Sequence, residues 1–253
     1  EIHSLAYEDA AKILRQLRSM GVRMVVFEGG EPLLWRDGKH TISDLIEEAK
    51  QLFFSVAVTT NGTIPLDVPA DIIWVSIDGL DGSQDRLRSD SRQAVWDNLG
   101  KTNHARVFVH FTLNRENWRE LEPLTDRLCS LPAFKGLTVQ LFYPYRQGET
   151  PLTLANPERQ MAIDEVIRLK KRGAPILNSI GVLRKMIENR WTCHEDILVN
   201  IDPDGTITQG CYALSRGSAS YCDECGFTPV AEASGAVDLN PGSLLAGWRI
   251  FVK

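Results

Sequence analysis

Three short polar clusters stand where chemistry could be done. Gly29-Gly30-Glu31-Pro32 follows the apolar run Met24 to Phe27, Thr60-Asn61-Gly62 ends "FSVAVTTNG", and Ser76 and Asp78 end "IIWVSIDG". Paired glycines let a backbone take positive φ and bring its N–H and C=O groups against a ligand. The neighbouring Glu31 can accept hydrogen bonds from an ammonium group, and Pro32 stiffens the loop. Ser76 and Asp78 alternate with Ile77, so they share one face of a strand. A carboxylate placed there can bind a ribose diol, as in dinucleotide sites. Asn114, in "TLNREN", marks a fourth strand end and is a weaker signal. Taken singly, GGEP reads equally well as a plain turn with a solvated Glu, because these residues are the common turn formers.

The other chemistry is sulfur. Of five cysteines, Cys193, Cys211, Cys222 and Cys225 fall in the last quarter, with 17, 10 and 2 residues between them. Thiolates at such spacings can converge on one metal ion or cluster, with a hairpin between the first two. Spacing alone does not separate a zinc Cys₄ site from an iron–sulfur cluster. A strongly patterned chain of 253 residues is unlike a small disulfide framework, so the thiols imply a reducing, cytoplasmic setting. Cys129, next to Leu128 on a helical pattern, is expected to be a packing residue. His194 beside Cys193 is expected to be incidental, and the aromatics Trp191, Tyr212 and Trp248 are expected to pack the tail.

The elements that must position these residues alternate along the chain. Ala10, Ile13, Leu14 and Leu17 predict a helix over 5–20, with Ser4 as N-cap and Gly21 as stop. Strand and helix patterns then follow each other to a helix start at Asn156-Pro157-Glu158. The connection from Thr63 to Asp71 is too short for more than one helical turn. This rhythm predicts parallel strands joined by right-handed crossovers. Ligands of such sheets bind at the carboxyl ends of the strands, where the three clusters would converge. Near residues 191–193 the periodicity gives way to cysteines and glycines, and "LVNIDPDGTITQ" predicts a hairpin turning at Asp202–Gly205. A net charge of −5 with no basic block argues against a dedicated nucleic-acid binder, and no apolar run reaches the ~18 residues of a membrane span.

In this order and spacing, "FEGGEPLL", "TTNGT" and "VSIDG" resemble the core of the radical S-adenosylmethionine enzymes, over most of residues 1–150. The resemblance implies an α/β fold, a partial (β/α)6 TIM-like barrel over residues 1–190 whose first strand is missing. It also implies S-adenosylmethionine and a 4Fe–4S cluster as cofactors, with an electron donor and hydrogen abstraction from a substrate. Gly29, Gly30, Glu31 and Pro32 would hold the methionine amino group, Thr60, Asn61 and Gly62 would line the cavity, and Ser76 and Asp78 would reach the ribose and methionine ends. One departure is plain: the family's CxxxCxxC loop is absent from the sequence. The expectation is a chain that begins after that loop and is inactive as given; the rival is a degenerate, cluster-free binding module stabilised by a metal. The hairpin and CxxC of residues 191–253 resemble SPASM or twitch extensions, which implies an auxiliary 4Fe–4S cluster on the four cysteines (zinc being the alternative). The same resemblance implies a maturase-like role on a peptide, a protein or a cofactor precursor.

Overall fold

The computed structural model describes residues 5–80, 82–88, 91–144, 150–215, 222 and 224–252. Helix α1 (Tyr7–Ser19) buries Ala10, Leu14 and Leu17, the spacing of one helical face. It starts two residues later than expected, after Ala6; Ser4 lies outside the described residues. Gly21, at φ 93°, ends it as the sequence predicts. Strand β1 (Met24–Phe27) leads through a turn into the two-residue strands β2 (Arg36–Asp37) and β3 (His40–Thr41), a small hairpin at Gly38. Helix α2 (Ile42–Leu52) opens on a capping box in which Thr41 N donates to Asp44 Oδ2 at 2.7 Å.

Strands β4 (Ser55–Thr60), β5 (Ile72–Ser76), β6 (Val107–Leu113) and β7 (Phe134–Leu141) complete a sheet of order β1-β4-β5-β6-β7, parallel throughout. The sheet is not closed among the described residues. Beyond β7, Leu177 N donates to Leu137 O at 2.8 Å, and the Asn178 amide bonds both the N–H and the C=O of Val139. Residues 175–178 thus act as a short sixth strand, with a side chain standing in for part of its backbone.

Strand alternation sorts the two faces. Val56, Val58, Ile73, Val75, Val109 and Phe111 join the main core, covered by α1, α2, α4 (Arg92–Lys101), α5 (Leu121–Cys129) and α6 (Glu158–Lys171). On the other face, Ala57, Ile72 and Phe108 form an apolar floor near the amino ends of the strands. Toward the carboxyl ends that face turns polar, with Ser76, His110, Thr112, Thr138 and Gln140. The chain completes this floor with its own later helices. After α7 (Ile180–Ile187), the hairpin β8 (Val199–Ile201) and β9 (Ile207–Gln209) and the short α8 (Tyr212–Ser215), it forms α9 (Thr228–Val237) and α10 (Pro241–Phe251). Ile250 and Phe251 of α10 pack onto Ile72, Phe108 and Trp74, and the Arg106 guanidinium donates to the Ile250 carbonyl. The apolar core therefore crosses residue 191, where the sequence placed a boundary.

Candidate functional site

The carboxyl ends of β1, β4 and β5 lie side by side because these strands are adjacent and parallel. Gly29 (φ 88°) and Gly30 (φ 52°) turn the chain out of β1 in the left-handed region. Among the described residues, and apart from their chain neighbours, nothing lies within 4 Å of where a Cβ of either would stand, so their backbone is open to close approach. Glu31 is less free than its sequence context suggests. Its Oε1 accepts from Thr60 Oγ1 at 2.8 Å and from Leu33 N at 3.1 Å, and its Oε2 accepts from Asn61 N at 2.8 Å. A carboxylate offers about four lone-pair positions, so roughly one remains. Glu31 is first a clamp that ties the glycine loop to the end of β4; Pro32, behind it, is buried at the start of a 3₁₀ turn.

The Thr60-Asn61-Gly62 turn is equally fixed. Asn61 Oδ1 accepts from Thr63 N and Thr63 Oγ1, and the Gly62 carbonyl accepts from Asn98 Nδ2 of α4 at 2.9 Å. Gly62 stands at φ 77°, and a Cβ there would lie 2.7 Å from a methyl of Val75. Asp78 anchors a second group. Its Oδ2 accepts from Arg88 Nε at 2.5 Å, its Oδ1 from Thr112 N at 3.3 Å, and its carbonyl from Asn117 Nδ2 at 2.9 Å. Helix α3 (Gly82–Arg88), which the sequence reading missed, carries Arg88 and also Gln84, whose Oε1 accepts from Asp78 N. Ser76 is buried in register with His110. Asn114 turns inward, its Oδ1 accepting from Glu116 N and Asn117 N, so it shapes the turn after β6.

Sequence reasoning also missed two titratable groups here. His110 bonds Thr138 Oγ1 through Nδ1 at 2.9 Å. Burial pushes its pKa down to about 4, against the pull of the Asp78 charge and with help from Arg88, so the imidazole is neutral at pH 7. The alternation of "VFVHFTL" was its available signal, since it sets His110 on the face opposite its apolar neighbours. Glu28 follows β1 with part of its surface open to solvent, yet partial burial of its carboxyl lifts it above the usual range.

The four tail cysteines line one cavity of about 220 Å³, walled by Tyr143, Trp191 and Phe227. Cys193 and Cys222 are exposed, and Cys211 and Cys225 are half-buried. Burial pushes the Cys193 thiol up to about 11, and the charges of Cys225, Cys211, Glu195 and Cys222 push it the same way. Among the described residues, no group of three or more His, Cys, Asp or Glu gathers closely enough to hold a metal ion. Just after Cys225 the chain lies along the end of β7, where Leu141 N donates to Gly226 O at 3.1 Å and Thr228 Oγ1 to Val139 O at 2.5 Å. Cys129 is exposed at the end of α5, so the packing role expected of it is corrected. His194 pairs with Asp238 at 2.8 Å. Trp191 packs against the core, whereas Trp248 is 48% exposed, contrary to expectation.

No family model matches the chain. Among curated proteins it is 24% identical over 192 residues to Fe-coproporphyrin III synthase of Methanosarcina barkeri, a match covering 68% of this chain and 47% of the relative. It is 31% identical over 153 residues to "Probable GTP 3′,8-cyclase" of Methanopyrus kandleri, covering 55% and 47%. The matched region thus spans about half the length of these relatives. Among solved structures, SuiB of Streptococcus suis superposes with a TM-score of 0.59 at 16% identity, over 83% of this chain and 55% of that one. A structure of anSMEcpe with bound AdoMet gives 0.57 at 12% identity, over 98% and 76%. The sequence relatives and the structural neighbours are radical S-adenosylmethionine enzymes, and the chain shares the fold of those neighbours.

Proposed function

We propose that the chain binds S-adenosylmethionine at the carboxyl edge of its sheet and serves a hydrogen-abstracting radical reaction there. What supports this most is the Glu31 clamp, which joins the glycine loop and the Thr60-Asn61 turn into one preformed cradle with open space beyond both glycines. In this reading the backbone of Gly29 and Gly30 and the remaining acceptor of Glu31 take the methionine ammonium. Thr60, Asn61 and Gly62 hold the rim, while Ser76 and Asp78 meet the ribose side, Asp78 sharing its carboxylate with Arg88. The apolar floor of Ala57, Ile72 and Phe108 keeps water out from below. A 4Fe–4S cluster bound beside this cradle would supply the single electron that divides S-adenosylmethionine into methionine and a 5′-deoxyadenosyl radical. The sequence holds no CxxxCxxC, so the proposal requires three further thiolates for that cluster, and the chain by itself would be inactive.

For the tail we propose a SPASM- or twitch-like auxiliary 4Fe–4S cluster held by Cys193, Cys211, Cys222 and Cys225. A tetrahedral zinc site, with Zn–S of ~2.3 Å, needs sulfurs about 3.8 Å apart. These thiols line one cavity of about 220 Å³, with more room than a single ion needs. A 4Fe–4S cluster takes one thiolate per iron, so four cysteines lining one cavity match its ligand count. Residues 191–253 are then a functional extension on a shared core. We place the protein in the cytoplasm, with an external electron donor and a peptide, protein or cofactor precursor as substrate; among the described residues no helix is long and apolar enough to cross a membrane.

Calorimetry with S-adenosylmethionine tests the first reading. Glu31→Ala should weaken binding by about 1.5–3 kcal/mol, the range for hydrogen bonds to a charged group; an unchanged affinity would sink the assignment. Anaerobic reconstitution tests the second and should give about four irons per chain. Cys222 and Cys225 changed together to Ser should abolish that iron while Cys129→Ser keeps it. A colourless protein with one zinc would decide for the plain structural site.

A further inference from the structure

Arg159, on the first turn of α6, is only 8% exposed. Among the described residues its guanidinium donates only to neutral oxygens. Nε and Nη2 donate to Met186 O at 3.0 and 2.6 Å, Nη2 also to Asn189 Oδ1 at 2.7 Å and Cys225 O at 2.9 Å, and Nη1 to Glu224 O at 3.3 Å. No carboxylate forms an ion pair with it among the described residues; Glu224 offers its carbonyl, and its side chain acts only as a more distant charge. A guanidinium stays protonated in proteins, and a buried charge without a counter-ion is costly. This one lies against the backbone of the CxxC, and its partner Asn189 lines the four-cysteine cavity. The uncompensated cation thus stands beside the place where several thiolates would collect their negative charge.

We propose that Arg159 is a positioning residue that holds the CxxC backbone and supplies the fixed positive charge offsetting a thiolate-ligated cluster, thereby raising its reduction potential. This rests on reading the tail as a cluster site. The step it biases is uptake of one electron from an external one-electron donor. That electron makes the site one unit more negative, and a nearby cation favours the product by Coulomb attraction in a partly desolvated setting.

The full chain, reconstituted anaerobically with iron and sulfide and titrated potentiometrically with dithionite, tests the inference. In Arg159→Gln the reduced-to-oxidised ratio at fixed poise should fall about tenfold, which is about 59 mV for a one-electron couple. Arg159→Lys keeps the charge and should stay within about threefold of the parent ratio, under roughly 30 mV. Asn189→Asp sets a carboxylate on an existing hydrogen bond to the guanidinium, at a left-handed φ of 50° that Asp tolerates. It should lower the ratio without emptying the site, and it serves where Arg159→Gln does not fold. An unchanged midpoint in iron-loaded Arg159→Gln, or in Asn189→Asp where the Gln variant fails to fold, overturns the inference and leaves the cluster reading standing. Equal shifts in the Lys and Gln variants would assign Arg159 a merely structural part and overturn it as well. A parent chain that takes up no iron overturns both readings together.

Discussion

Acid should act on this protein through His110. Its ring is neutral in the folded chain, with a pKa near 4, while the unfolded chain titrates near the ordinary 6.5. Between those values the unfolded state binds a proton that the folded state refuses. Stability therefore falls as pH drops from about 6.5 to about 4 and is flat on either side of that window. The ring is half-buried, so its share is about 1–3 kcal/mol, which denaturant midpoints at pH 7 and 4.5 can measure. His110→Gln should flatten that part of the slope, and an unchanged slope would show that the imidazole titrates freely. At this scale the sequence was partly legible. GGEP, TTNG and SIDG stood out because strand ends are read locally, from an apolar run stopping at turn residues. Their partners were not legible. Arg88 and Asn117 lie 10 and 39 residues from Asp78, and only the fold chooses them.

Among the elements, strand β7 carries the most connections. On one side it meets β6, on the other residues 175–178, and at its end Gly226. A Cβ on Gly226 would collide with the Leu141 carbonyl, so the residue after the CxxC can only be glycine if the chain is to lie this close. Gly226→Ala should destabilise the protein by about 1–3 kcal/mol, as overpacking does. Reconstituted, it should lose tail iron while still binding S-adenosylmethionine; equal loss of both would show that the two sites are mechanically one. The five strands were readable as continuous apolar runs, as a sheet covered on both faces requires. The late helices were not. Helix α9 is rich in Ala, Ser and Gly and buries small residues such as Ala231 and Ser234, which carry little periodic signal. Helix α10 hides only Ser243, Ala246 and Ile250 while leaving Leu244, Leu245 and Trp248 exposed, the reverse of an amphipathic pattern.

For the molecule as a whole, the arrangement of α10 decides what can be removed. Ile250 and Phe251 seal the floor beneath Ile72, Phe108 and Trp74. A chain cut at residue 190 keeps every strand of the sheet and loses that seal. It should melt without a cooperative transition and bind hydrophobic dyes, whereas a sharp melt would show that the first 190 residues are self-sufficient. The same seal fixes an order of events during synthesis. Phe108 leaves the ribosome about 140 residues before Ile250, a wait of roughly 7–30 s at elongation rates of ~5–20 residues per second. Throughout that interval the nascent sheet has no cover for its floor, which makes it a client for chaperones that shield apolar surface until translation has passed α10.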